Sequence, residues 1–353
     1  MKRKYYSEKK VYAVALGLVL IFINTSNLNG QSVAKYAGEF ISIGVGGRAL
    51  GMGSAYTAVT EDIMSGYWNP AGLVSIDYPQ IALMHDERFA GLVNYDYGAV
   101  ALPIGPISTL ALSVIRLGVD NIPNTQNAGV DINGLPLPPD QWQNFARIDP
   151  NRITYFNAAD WAFFLSYARR ATESFSYGAN LKLIYRSLET ATAVGVGFDF
   201  AGRYKISNNF ILGANLQDVT TTLVAWNSGT NELISPTLKT GCVYILNGLG
   251  GSFIPALDFD VRFENRRSTS FFNIGSVSFD PHAGIEYNFK NIISVRTGYT
   301  DTKEWTIGGG IHLPKLSIDY SFARFKDSNE AIKTHRISLI FTLEAEQFKR
   351  IPR

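Results

Sequence analysis

Few residues in this chain have the spacing of a reactive centre. The four histidines, His85, His282, His312 and His335, follow no H-x-x-x-H or similar metal-ligand pattern, and each reads as a capping or surface-lining group. Ser54, in Gly51-Met52-Gly53-Ser54-Ala55, lacks the final glycine of a nucleophile elbow. Gly44, Gly46 and Ala49 spell G-x-G-x-x-A, the outline of a dinucleotide loop, but no parallel βαβ unit follows to complete the fingerprint. P-loop and EF-hand patterns do not occur. Asp258 and Asp260 stand beside Arg262 on one strand face, where a ladder of ion pairs is a better reading than general acid–base work. Neither an enzyme nor a cofactor or metal site is expected.

The elements that would hold these residues alternate with a period of two. Asp258, Asp260, Arg262 and Glu264 interleave with Leu257, Phe259, Val261 and Phe263, giving one charged and one apolar face. Val194, Val196, Phe198 and Phe200 alternate with glycine, Asp199, Ala201 and Arg203 in the same way. This period is strand geometry. Three features direct the apolar face to lipid rather than to a soluble core. The runs are about twice as long as the usual five or six residues; their other face carries Gly, Ser, Asn and ions; and aromatic residues collect at their ends. Tyr95, Tyr97, Trp161, Tyr185, Tyr204, Tyr287, Tyr299 and Trp305 are expected to form the interface girdles.

Fourteen segments qualify: 80–90, 94–104, 107–120, 159–171, 175–188, 191–206, 209–217, 236–246, 256–269, 279–290, 292–301, 304–313, 316–327 and 334–344. Connections after even-numbered segments are short, with one exception at 247–255, and the long ones, such as Asn121 to Ala158, follow odd-numbered segments. That parity is the signature of a bacterial outer-membrane barrel. Two uncharged stretches, Tyr97 to Ile115 and Thr240 to Leu257, imitate membrane helices, but central Pro and Gly residues make them hairpins. The prediction is an all-β fold: a fourteen-stranded antiparallel transmembrane barrel at 79–344, enclosing a small helical and loop plug at 31–78.

The chain of 353 residues is 46% hydrophobic and 18% charged, too apolar for disorder. Residues 1–30 have a cationic start, an apolar run from Val11 to Ile23 and a polar end, the layout of a signal peptide cleaved after Gly30. The apolar run covers only about 20 Å as a helix, too short to span a bilayer. Without that segment, 32 basic residues become 27 and 30 acidic residues become 29, so the net charge moves from +2 to near −2. Nucleic acid is therefore excluded as a partner. Cys242, the only cysteine, rules out an intramolecular disulfide. Residues 345–353 form a tail beyond the last strand.

Inward faces should carry Lys182, Arg186, Asp199, Arg203, Asp258, Asp260, Arg262, Glu264, Glu286, Arg296, Glu304, Asp319 and Arg336. Arg48, in the plug, needs a carboxylate such as Asp258 or Glu286, because an unpaired buried guanidinium is costly. The long external loop carries Trp142 and Phe145, a docking or capture surface. A short helix is expected through Val59.

Gly47-Arg48-Ala49-Leu50-Gly51-Met52-Gly53, followed by Tyr67-Trp68-Asn69-Pro70-Ala71-Gly72-Leu73, resembles the N-terminal signature of the PorV/PorQ family, within the FadL-like superfamily of fourteen-stranded barrels. The likeness is specific over 41–75 and architectural over 76–344. It implies an N-terminal hatch containing the Asn-Pro-Ala element, a location in a Gram-negative-type outer membrane, and contact with membrane lipid. For function it implies either type IX protein secretion, with secretion-system partners, or passage of long-chain fatty acids or other hydrophobic small molecules. Such barrels often end on an aromatic residue; here Phe341 or Phe348 would have to serve.

Overall fold

The computed structural model describes residues 38–263, 270–324 and 333–350. Residues 1–30, where a signal segment is expected, and Glu264 lie outside these residues. Fourteen strands form the wall: β1 Gln80–Arg88, β2 Val93–Ile104, β3 Ser108–Asn124, β4 Thr154–Arg170, β5 Phe175–Leu188, β6 Ala191–Lys205, β7 Phe210–Gln217, β8 Thr237–Tyr244, β9 Gly251–Arg262, β10 Val277–Phe289, β11 Ile293–Tyr299, β12 Trp305–Leu313, β13 Leu316–Arg324 and β14 Lys333–Thr342. Each pairs antiparallel with its chain neighbour, and β14 pairs with β1 through Leu83↔Leu339 to close the ring. Closure leaves no free edge, which is what lets a sheet stand in lipid. No described helix is long and apolar enough to cross a membrane. The two helix-like hydropathy stretches fold as the β2–β3 and β8–β9 hairpins.

Along β6, Val194, Val196, Phe198 and Phe200 face outward and exposed, while Gly195, Gly197, Asp199 and Ala201 are buried. One register row shows the lipid boundary. His85, Asp96, Arg116, Trp161 and Tyr185 are successive partners across β1 to β5, and the next outward row is Leu83, Gly98, Val114, Phe163 and Leu183. Polar and aromatic side chains thus give way to apolar ones within a single row, as at a membrane interface.

The structure departs from several expectations. Tyr95 and Tyr97 are not girdle residues: they are 0% and 3% exposed and point into the lumen. Residue type does not record facing, and both faces of β2 are apolar beyond them. The exceptional connection at 247–255 disappears, since Leu246–Gly248 pairs with Gly251–Phe253 around a turn at Leu249-Gly250. β3 and β4 extend to Asn124 and back to Thr154, so the long loop is shorter than Asn121 to Ala158. It contains its own small ladder, Gly129–Val130 with Arg147–Ile148. The connection between β7 and β8 holds a hairpin, Thr222–Trp226 with Asn231–Ile234, which takes over the ladder of β6 where β7 stops.

Residues 38–76 run inside this wall as short helices α1 Glu39–Ser42, α2 Gly47–Gly51 and α3 Ser65–Trp68, then a 3-10 helix Pro70–Ser75. The helix expected after the glycine motif and through Val59 does not form: residues 52–60 are turns and loop, Gly53 and Ser54 take positive φ, 64° and 67°, and the helix lies within the motif itself at Gly47–Gly51. The core lies between this segment and the wall: Val45, Leu50, Met52, Tyr56, Ile63, Tyr67 and Trp68 are buried with Met84, Tyr95, Ile115, Phe164 and Ile184. After β14 the chain returns to the short-turn end. There Arg350 donates to the carbonyls of Ile76 (2.6 and 3.0 Å) and Ser108 (2.9 Å) and to the Thr109 hydroxyl (2.6 Å).

Candidate functional site: the lumen segment and the cavity above it

The glycines of the first motif are sites of close approach. A Cβ on Gly47 would lie 2.7 Å from Asp319 O, and one on Gly51 would lie 3.2 Å from the Gly308 Cα. Gly53 meets the Tyr299 backbone, and from the other side Gly298 meets Gly53 N and the Met52 carbonyl carbon at 2.2 Å. Backbone is thus seated on backbone, with Met52 fully buried between. Only glycine permits this on both surfaces.

The second motif is a cap. Asn69 takes an extended conformation, and its Oδ1 accepts from Ala71 N at 3.1 Å, starting the 3-10 helix with Pro70 at its first position. Proline is favoured there because that N–H has no helical partner. The Asn69 amide nitrogen donates to Thr57 O (2.8 Å) and Gly202 O (3.2 Å), tying two turns of the segment to β6. Ala71 and Gly72 are buried; the Ala71 carbonyl accepts from Ser176, and a Cβ on Gly72 would collide with Thr60.

Ions complete the seating. Arg48 reaches Glu286 on β10 through Nε (2.9 Å) and Nη2 (2.7 Å). Glu286 also accepts from Arg296 on β11, which donates to Asp319 on β13 at 2.6 Å. Burial opposes the Arg48 charge, and Glu286 more than offsets this, so its pKa is raised well above the ordinary value. Beside it burial raises the pKa of Asp62, against the pull of Arg48. Asp258 behaves differently from the expected ladder. Its Oδ2 accepts from the backbone N–H groups of Tyr56 (2.8 Å) and Thr57 (2.7 Å), because the segment passes directly in front of it. Asp260 takes Lys239 as its partner, with Arg262 at 4.0 Å; Arg262 is also 3.5 Å from Asp280. Asp199 joins Lys182 and Asp218, and Arg203 joins Glu61.

Lys239, Asp218, Asp86 and Glu61 were missed by sequence reasoning. Asp86 is fully buried against Arg336 (3.1 Å) and Arg88 (3.3 Å). Its inward neighbours Ala82 and Met84 are apolar because they face the lumen core, so β1 shows no ionic face. His282 turns Nδ1 to Gly53 O at 3.0 Å, and no metal-binding group of His, Cys, Asp or Glu occurs among the described residues.

On the long-loop side a cavity of about 270 Å³ ends on this segment, with Leu50, Ser54 and Trp68 beneath it and Arg88, Lys239, Asp260 and Glu304 around it. Lys239 Nζ lies 5.9 Å from the Trp68 ring centre. Trp68 is held by Tyr67 edge-on at 5.0 Å and by its own N–H to Val45 O. Burial raises the Glu304 carboxyl pKa to about 7. Further out, the long loop exposes Ile132 (90%), Leu135 and Phe145; Trp142 stands on its 3-10 turn Pro139–Asn144.

No protein-family model and no curated protein sequence matches this chain. Solved structures do. The toluene transporter TbuX of Ralstonia pickettii matches with a TM-score of 0.56 at 12% identity, over 85% of this chain and 99% of its own. The CymD monoaromatic hydrocarbon channel gives 0.59 at 14%, over 86% and 98%. A Pseudomonas aeruginosa FadL homologue gives 0.51 at 11%, over 89% and 99%. At these identities the likeness is one of fold, and the chain is a closed fourteen-stranded antiparallel barrel of the architecture those transporters share.

Proposed function

We propose that this protein is an exported outer-membrane barrel of FadL-like type that admits a small hydrophobic molecule from the long-loop side, with residues 38–76 as its gate. The fold likeness to hydrocarbon channels carries this reading, since it extends over nearly the whole of each of them and over more than four-fifths of this chain. Exposed Ile132, Leu135 and Phe145 supply an apolar capture surface, and Trp68 an aromatic floor below the cavity. The cavity wall above Trp68 is mostly charged and polar, with Arg88, Lys239, Asp260 and Glu304 around it, so the apolar contact on this side is supplied by the loop residues and the Trp68 ring. The test is uptake of labelled toluene and oleate by cells with and without the gene. Equal uptake of both compounds in the two strains refutes the reading.

A second reading, a PorV/PorQ-type partner in type IX secretion, is favoured by one observation. The lumen segment is fastened by buried ion pairs and backbone seating from α2 to the 3-10 helix. A permanently filled barrel suits docking better than passage. In that case deletion leaves uptake intact and removes secreted proteins from the culture medium.

A further inference from the structure

At the short-turn end, three inward positions fall in one register row: Arg170 on β4 pairs with Ser176 on β5, and Ser176 pairs with Arg203 on β6. The small serine leaves a gap between two guanidinium groups, since inward neighbours on adjacent strands are only about 5 Å apart. A cavity of about 250 Å³ opens there, lined also by Lys205, Thr172 and Glu173. Arg203 is 8% exposed and spends Nε on Ala58 O and Nη2 on Glu61. Arg170 gives one N–H to Val74 O at 3.0 Å, out of the five a guanidinium carries. The serine hydroxyl donates to Ala71 O. Three cations therefore face the cavity against Glu173 and the Glu61 already bound to Arg203. Like charge extends further, because Arg170 adds to burial in holding the Arg350 pKa below its ordinary value.

We propose that the Arg170–Ser176–Arg203 row with Lys205 is an oxyanion seat for a phosphate group, free or at the head of a phospholipid. A phosphate offers oxygens in several directions and can meet both guanidinium groups and the ammonium together, whereas a carboxylate has two oxygens in one plane. The cavity exceeds the size of one phosphate, so a substituent on the phosphate fits too. This seat lies at the opposite end of the barrel from the long-loop cavity and holds under either reading of function.

Calorimetric titration of the full chain in a phosphate-free maltoside micelle tests it. The probes are inorganic phosphate and, separately, dihexanoyl phosphatidylglycerol. Saturable binding of at least one is expected, weakened about tenfold in Arg170→Gln, as for loss of a charge-assisted hydrogen bond. Lys205 makes no side-chain hydrogen bond or ion pair among the described residues, and Lys205→Glu should weaken binding at least as much. Saturation by phosphate assigns a free anion; saturation by the lipid alone assigns a headgroup. Absence of saturation by both probes, or unchanged affinity in Lys205→Glu, overturns the proposal.

Discussion

Arg48 and Glu286 face each other across the lumen, 238 residues apart in sequence, through two hydrogen bonds of 2.9 and 2.7 Å. Glu286 is fully buried and also serves Arg296, so the pair is one link of a chain running from α2 through β10 and β11 to Asp319. Removing one partner of a buried pair costs about 3 kcal/mol when the other charge is left unpaired, and less for loss of Arg48, since Glu286 keeps Arg296. Arg48→Ala should therefore loosen residues 47–54 while the wall persists, and Glu286→Gln should loosen both. Hydrogen exchange of the Leu50 and Met52 amides measures this. Equal protection in wild type and Arg48→Ala would show that the ion pair does not hold the segment.

Gly298 and Gly53 make a sharper case. A Cβ at 298 has no space, so Gly298→Ala should displace the lumen segment at a cost of about 1–3 kcal/mol, the range for overpacking. Gly309, on the neighbouring strand, meets only Ser294 O at 3.7 Å and serves as control. Protease sensitivity within 38–76 should rise in Gly298→Ala alone.

Asn69 combines a cap with two tethers. Asn69→Ala loses all three hydrogen bonds, about 2 kcal/mol or more. Asn69→Asp keeps the acceptor for Ala71 N and loses the donors to Thr57 and Gly202. If the cap matters more than the tethers, the aspartate variant melts near wild type; a melt as low as alanine assigns the stabilisation to the tethers.

Glu304 confers a pH dependence. Its folded pKa of about 7 lies above the ordinary 4.5, chiefly from burial, with the Thr302 hydrogen bond and Arg336 opposing. A raised folded pKa means that its stabilising contribution is complete below 4.5 and is lost as pH rises through 7. The melting temperature of wild type should fall relative to Glu304→Gln between these two values. Parallel pH profiles of the two proteins would contradict this.

Much of the wall was legible in the sequence because lipid and lumen impose opposite chemistry on alternate residues, as in β6. Where both faces are apolar that contrast vanishes: Tyr95 and Tyr97 read as girdle aromatics in the sequence but pack on the lumen core. Asp258 shows a second limit. Strand phase put it inward, but its partners are backbone N–H groups about 200 residues earlier, which side-chain patterning does not register. Lys239 is the one charge on β8, and Asp86 and Arg88 sit at the end of a β1 face that is otherwise apolar at Ala82 and Met84, so neither strand shows an ionic face of the kind seen at 258–262.

The lumen segment is made first and its wall last. Gly47 N donates to Ser338 Oγ on β14, 291 residues later, and Arg48 waits for β10. Non-local contacts of this span require costly loop closure before they contribute. The N-terminal residues are therefore without most of their native surroundings until the last strands are in place. Their large apolar side chains, Leu50, Met52, Ile63, Tyr67 and Trp68 among them, stay uncovered in that interval, and ring closure by β14 onto β1 is the event that completes their environment.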